Sequence, residues 1–334
     1  MKRVALLTAV LLTACQSSVP LESAAQPPTL QAQATAGQWV SGTYYSSYGA
    51  RFYRLWVPAG YTGSSARPLM VMLHGCQQDG YDFAAGTKMN ALADARNFLV
   101  LYPEQGTAYN GADCWNWFYI ANQIRGGEPA VIAGMVDWVK SNYKVNGGKV
   151  AVAGISAGAS MANIMGCTYP DVFGGVASVA GLAYGAATTS VGSVNAMLYG
   201  SSYSPDNLGQ SCYDEMSTRK HVMPTLVFQG TADSVVNPVN ATQVLGQWAQ
   251  TNDLASDGAD NNNIKATADA TTSATACRSY TRSDYKNSAT GSVVMQKYLI
   301  SGMGHAWSGG SSSGTYTDSC GPDTSTIIAN FFGF

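Results

Sequence analysis

Charge is scarce in this chain. Lysine and arginine number 18 and aspartate and glutamate 20, together 11% of 334 residues, and the formal net charge is −2. No basic run occurs, so the electrostatic footprint that nucleic acid or an anionic lipid surface requires is missing. Histidine is scarcer still, at three. No two cysteines stand as CxxC, and with so few histidines neither a zinc centre nor any other metal or cofactor site is expected. No apolar run is long enough to span a bilayer as a helix, and no internal repeat is visible.

The N-terminus reads as an address. A basic start and an apolar run from Val4 to Leu12 lead into Leu12-Thr13-Ala14-Cys15. That pattern predicts a lipoprotein-type signal over 1–14, with Cys15 lipidated after cleavage and the protein exported, anchored at the outer membrane or released. Any membrane association is expected only through that lipid, and no obligatory protein partner is evident. Residues 15–38 are rich in Ser, Ala, Gln and Pro and predict a flexible tether. Residues 39–334 then form one catalytic domain. Of the seven cysteines, the six besides Cys15 suggest three disulfides in an exported chain, taken as sequence neighbours: Cys76 with Cys114, Cys167 with Cys212, and Cys277 with Cys320.

Strand-like and helix-like patterns alternate, which predicts an α/β fold with a mostly parallel sheet covered on both faces. Strands are expected at Arg51–Val57, Leu69–Leu73, Phe98–Tyr102, Gly175–Val179, Thr225–Gln229 and Val293–Ile300. Helices are expected at Asp82–Arg96, Glu128–Tyr143, Ser156–Thr168, Asn240–Ala249 and Thr324–Phe332. Residues 251–276 read as a solvated surface excursion; their Asp/Asn density does not have the spacing of an EF-hand loop.

The most informative stretch is Lys149–Gly158, where a buried-looking strand, Val150-Ala151-Val152-Ala153, feeds into Gly154-Ile155-Ser156-Ala157-Gly158. A serine hydroxyl becomes a useful nucleophile when a tight strand-to-helix turn exposes it between small neighbours, and this pattern predicts such an elbow at Ser156. A base is then needed. His305, in a glycine-flanked loop after the last long strand, is the candidate, against His74 and His221, which sit beside other strands. For the acid, Asp233 lies just beyond the strand ending at Gln229, where an α/β sheet gathers its chemistry. Glu104 and Asp214 compete, but stand out of place in the order Ser, Asp, His expected of α/β-hydrolases. The oxyanion would be met by the N–H groups of Ala157 and of Cys76 in the loop after Leu73.

Seven motifs in fixed order carry a resemblance: LHGCQQ (Leu73–Gln78), NxLAD (Asn90–Asp94), CWNWF (Cys114–Phe118), RGGEPAVIAGMVDWV (Arg125–Val139), AGISAGASM (Ala153–Met161), FQGTADSVVNP (Phe228–Pro238) and GMGHAWSGG (Gly302–Gly310). From about Trp39 to the end, the chain resembles the esterase family of poly(3-hydroxybutyrate) depolymerases, a group related to feruloyl and acetylxylan esterases. The resemblance implies an α/β-hydrolase fold in a single domain, a triad of Ser156, Asp233 and His305, and an oxyanion hole at Cys76 and Ala157. It also implies that Trp307 lines the acyl cleft, with Trp115 and Trp117 flanking it. The implied activity is cofactor-free hydrolysis of polyester bonds in polyhydroxyalkanoates, with feruloyl or acetylxylan ester hydrolysis as the alternative. Adsorption to solid polymer is expected to fall to exposed residues of the catalytic domain. A peptidase, a lipase or a non-catalytic binding protein on the same fold are the more distant readings.

Overall fold

The computed structural model describes residues 36–334. The signal, Cys15 and nearly all of the tether lie outside the described residues. In chain order the elements are β1 (Gln38–Ser46), β2 (Gly49–Val57), β3 (Arg67–Leu73), α1 (Gly80–Thr87), α2 (Met89–Arg96), β4 (Leu99–Pro103), α3 (Gly127–Asn142), β5 (Val145–Ile155), α4 (Ala157–Thr168) and β6 (Val176–Val179). They continue with α5 (Ser190–Tyr199), α6 (Pro205–Met216), β7 (Thr225–Gly230), α7 (Val239–Asp257), β8 (Ala270–Thr275), β9 (Ser279–Lys286), β10 (Val293–Ile300), β11 (Trp307–Ser308), β12 (Thr317–Asp318) and α8 (Thr324–Phe332).

Ten strands form one sheet in the order β1-β2-β4-β3-β5-β6-β7-β10-β9-β8. The stretch from β4 to β10 is parallel, and both flanks are antiparallel. The central strands carry apolar runs, Leu69–Leu73 in β3 and Leu99–Tyr102 in β4, because both of their faces are covered. In β3, Leu69, Val71 and Leu73 enter one core cluster, whereas Met70 and Met72 enter the other. The first cluster packs under α3, α4 and α7 through Val136, Met161 and Trp248. The second packs under α1, α2 and α8 through Phe83, Met89 and Ile328. Helix α4 is buried along its whole length, which explains its run of Ala, Gly, Met and Ile.

Three expectations need correction. The helix expected over Asp82–Arg96 is two helices, because Lys88 takes a left-handed φ of 58° and closes the first while opening the second. The helix expected to stop at Ala249 runs on to Asp257. Its last turns look polar, yet Thr251, Asn252 and Asp253 are buried. Each is satisfied: Thr251 Oγ1 donates to Gly209 O, Asn252 Nδ2 donates to Met223 O, and Asp253 accepts the N–H groups of Asn261, Asn262 and Ile264. The stretch 251–276 is therefore part helix, part acid-capped turn and part edge strand β8. The three disulfides pair the sequence neighbours, Cys76–Cys114, Cys167–Cys212 and Cys277–Cys320.

Candidate active site

Ser156 sits between β5 and α4 with φ 58° and ψ −123°. A serine there is strained, since its Cβ is crowded by backbone that only glycine accepts freely. The neighbouring glycines make the turn possible. A Cβ on Gly158 would strike the carbonyl oxygens of Leu73 and His74, and one on Gly154 would strike the backbone of Gly158. Helix α4 can therefore lie directly against the end of β3, and the Ser156 N–H is fastened to Val179 O at 2.9 Å.

Asp233 follows β7 and His305 follows β10, the neighbouring strand. His305 Nδ1 lies 2.8 Å from Asp233 Oδ2. Asp233 also accepts the N–H groups of Val235 and Val236 and the amide of Gln229, each at 2.9 Å. Burial alone would raise its pKa, but the bond from His305 and the two backbone donors outweigh it and leave the carboxyl below its ordinary value. A carboxylate can only accept, so Nδ1 carries the proton and Nε2 is left as the base lone pair. Among the described residues neither Nε2 nor Ser156 Oγ is engaged in any other hydrogen bond. Nor are they yet bonded to each other, a contact that tightens in such sites when substrate arrives.

The loop after β3 lies beside the serine: a Cβ on Gly75 would stand 3.4 Å from that of Ser156. Gly75 N–H donates to Gln78 Oε1 at 2.9 Å and Gln77 N–H to Ala112 O at 2.8 Å. The Cys76 N–H between them has no acceptor among the described residues. The Ala157 N–H is the first donor of α4 and has no intrahelical acceptor. Two free donors thus flank Ser156, one at the positive end of a helix.

The other two histidines do different work. His74 accepts the Gln105 N–H at Nε2 (3.0 Å) and so donates from Nδ1 to Gly75 O (2.7 Å); burial pushes its pKa down and keeps it neutral. Gln105 in turn bonds Arg51 Nε at 2.6 Å. Arg51 forms an ion pair of 3.2 Å with Glu128, both about 5% exposed. Glu128 also accepts the Asn116 N–H at 2.8 Å. This buried network and the Cys76–Cys114 disulfide hold the loop from below. Among the described residues His221 makes one hydrogen-bond contact, to Arg219 O at 3.4 Å. Of the competing carboxylates, Glu104 is paired with Arg54 at 2.5 Å and Asp214 bonds Gln210 on α6 at 2.9 Å.

The tryptophans are a correction. Trp307 is 1% exposed, packs edge-on against Phe83 and donates from Nε1 to Ser325 Oγ at 3.1 Å. Trp115 is 0% and Trp117 4% exposed; Trp115 lies under the loop, its ring 5.7 Å from that of His74. None offers an indole face to a cleft, because each is needed to fill core. An exposed aromatic does border the site: Tyr316, 42% exposed, has its ring 6.3 Å from that of His305 and its hydroxyl donating to Gln77 Oε1 at 3.1 Å. The sequence signal for it was faint: one large side chain in a loop of Gly, Ser and Thr.

The chain is similar to known esterases. Poly(3-hydroxyalkanoate) depolymerase C of Paucimonas lemoignei is 32% identical over 251 residues, 75% of this chain and 56% of that protein. Acetylxylan esterase A of Talaromyces purpureogenus is 29% identical over 241 residues, 64% of this chain and 57% of that one. The chain therefore spans little more than half the length of either relative. Among solved structures, an acetyl xylan esterase from Aspergillus awamori superposes with a TM-score of 0.68 at 19% identity, covering 88% of this chain and 99% of that one, and establishes the α/β-hydrolase fold. The family model described as Esterase PHB depolymerase matches residues 51–269, well over half of the sequence, and the chain belongs to that family.

Proposed function

We propose that the protein is a serine esterase that cleaves polyester bonds of the poly(3-hydroxybutyrate) type through an acyl-enzyme. The observation that carries this reading is the 2.8 Å bond between His305 and Asp233 at the same sheet end as the strained Ser156. His305 Nε2 takes the Ser156 proton as Oγ attacks the ester carbonyl, and Asp233 stabilises the imidazolium that forms. The oxyanion settles on the N–H groups of Cys76 and Ala157. His305 then protonates the leaving alcohol, and water repeats the sequence to release the acid. The route needs no metal or organic cofactor.

The polymer reading draws on the depolymerase relative, which matches over 75% of this chain. A second reading, acetylxylan ester hydrolysis, draws on the similar identity to the fungal esterase. Three disulfides favour an oxidising compartment, and we place the protein outside the cytoplasm, tethered through Cys15. The test is product release from amorphous poly(3-hydroxybutyrate), acetylated xylan and methyl ferulate by wild type and Ser156→Ala. Hydroxybutyrate oligomers from the wild type alone support the first reading. Acetate or ferulate without polymer products moves the enzyme to the carbohydrate esterases.

A further inference from the structure

Two residues at the rim of the site adopt backbone that non-glycine residues avoid. Gln77 has φ 62° and Tyr316 has φ 52°, and for an aromatic side chain the left-handed region is a genuine outlier. Such strain persists only where the surroundings impose it. Here they do so from both sides. Gln78, next to Gln77, spends its whole amide on the join: Oε1 takes the Gly75 N–H, while Nε2 donates to Asp82 Oδ2 at 2.9 Å and to Thr315 O at 3.1 Å. Asp82 also accepts the Thr315 N–H at 2.9 Å. The loop carrying Tyr316 is thereby riveted to the loop carrying Cys76. Each loop is stapled by its own disulfide, Cys76–Cys114 and Cys277–Cys320.

Across this join Tyr316 donates its hydroxyl to Gln77 Oε1. That bond orients the Gln77 amide and leaves its Nε2, an obligate donor, without an acceptor among the described residues. The Tyr316 ring stands edge-on to His305, interplanar angle 74°. The leaving oxygen must sit within hydrogen-bond reach of His305 Nε2 to be protonated, and the Tyr316 ring, 6.3 Å from the imidazole with the Gln77 amide bonded to it, offers a surface for the alcohol half of the ester to run across.

We infer that Gln77 and Tyr316 form a subsite for the leaving alcohol, in which the ring packs on its carbon chain and Gln77 Nε2 donates to a carbonyl one unit beyond the scissile bond. The inference rests on the serine esterase reading above and narrows it. The preferred leaving group is a hydroxy acid whose own carboxyl is esterified, as in the next unit of a polyester, rather than a plain alkanol.

The test compares methyl 3-(butyryloxy)butyrate with sec-hexyl butyrate, which has similar bulk and no second carbonyl. It uses wild type, Gln77→Gly, Tyr316→Phe and Tyr316→Gly, with Ser156→Ala as the inactive control. Glycine suits the left-handed backbone at both positions, so these variants keep their fold, which thermal melting checks. Wild type should prefer the carbonyl-bearing ester by about tenfold in kcat/KM, expressed mainly in KM. Gln77→Gly should abolish the preference, and Tyr316→Phe should weaken it by unfastening the amide. Tyr316→Gly should raise KM for both esters. Across 4-nitrophenyl esters of increasing acyl length, the profile should keep its shape in all variants. A preference that survives Gln77→Gly, or variants that reshape the acyl profile instead, overturns the subsite while leaving the esterase reading intact. Ester turnover equal in wild type and Ser156→Ala overturns both.

Discussion

The imidazole of His305 is held by a carboxylate that is itself held four ways: Asp233 accepts from His305, Gln229, Val235 and Val236. A side chain so fully saturated cannot swing, and neither can the ring it orients.

Replacing that carboxylate by an amide, Asp233→Asn, keeps the shape and reverses the tautomer preference of His305. The expected outcome is a fall in kcat of about 10³-fold or more at pH 7 with KM little changed, measured on a soluble ester alongside a circular dichroism spectrum that matches wild type.

The same residue carries a pH signature. Its folded pKa lies below the ordinary value, so its contribution to stability is complete above the unfolded-state pKa, near 4, and is lost as pH falls through the folded value. Urea midpoints measured at pH 6 and pH 3 should drop further for wild type than for Asp233→Asn.

His74 titrates in a higher window. Burial depresses its folded pKa, so the unfolded chain binds the extra proton first, and stability declines as pH falls below about 6.5 toward the folded value. His74→Asn retains a donor toward Gly75 and should flatten that decline. It should also cost about 1–3 kcal/mol at pH 8, because the Gln105 N–H loses its buried acceptor. Denaturant titrations from pH 8 to 5 would read both effects.

Trp307 separates packing from binding. Because its indole lies in the core against Phe83, Trp307→Phe should lower the melting temperature by several degrees, with KM for small esters unchanged within about twofold. A raised KM in a variant of wild-type stability would return this residue to the cleft.

Opening the Cys76–Cys114 link should tell in turnover before it tells in the fold. The paired substitution Cys76→Ser with Cys114→Ser keeps the backbone N–H but frees the loop, so kcat should fall about tenfold or more. Melting should shift modestly, since the buried Arg51–Glu128 pair still anchors the base of the loop. Stopped assays and thermal melts on the same preparation make the comparison.

How far these features were legible in the sequence depends on the range of the force behind each. The Ser156 turn is a local steric problem, and its solution, glycine two residues to either side, is written beside it. His305 stood out because so few histidines compete for the role, and Asp233 because a strand ended just before it. Exposure is different, being settled by chain that arrives from elsewhere. Nothing near Trp115 or Trp307 records that one fills space under His74 and the other faces Phe83. The last turns of α7 were hidden for a related reason: Thr251, Asn252 and Asp253 look like surface, and only helix α6 and the loops packed around them supply the partners that let polar groups be buried. Tyr316 was missed because its neighbour, Gln77, is 239 residues away.

The order of strands also sets when the site comes into being. Ser156 is in place once β5 and α4 form, a contact between near neighbours in sequence. His305 arrives only after β10, the last parallel strand of the ten-stranded sheet to be synthesised, docks beside β7, closing a gap of 72 residues to Asp233. Such distant closures are slow steps in folding. A chain still being synthesised therefore holds Ser156 without His305, and the arrangement of Ser156, Asp233 and His305 is complete only once β10 has docked.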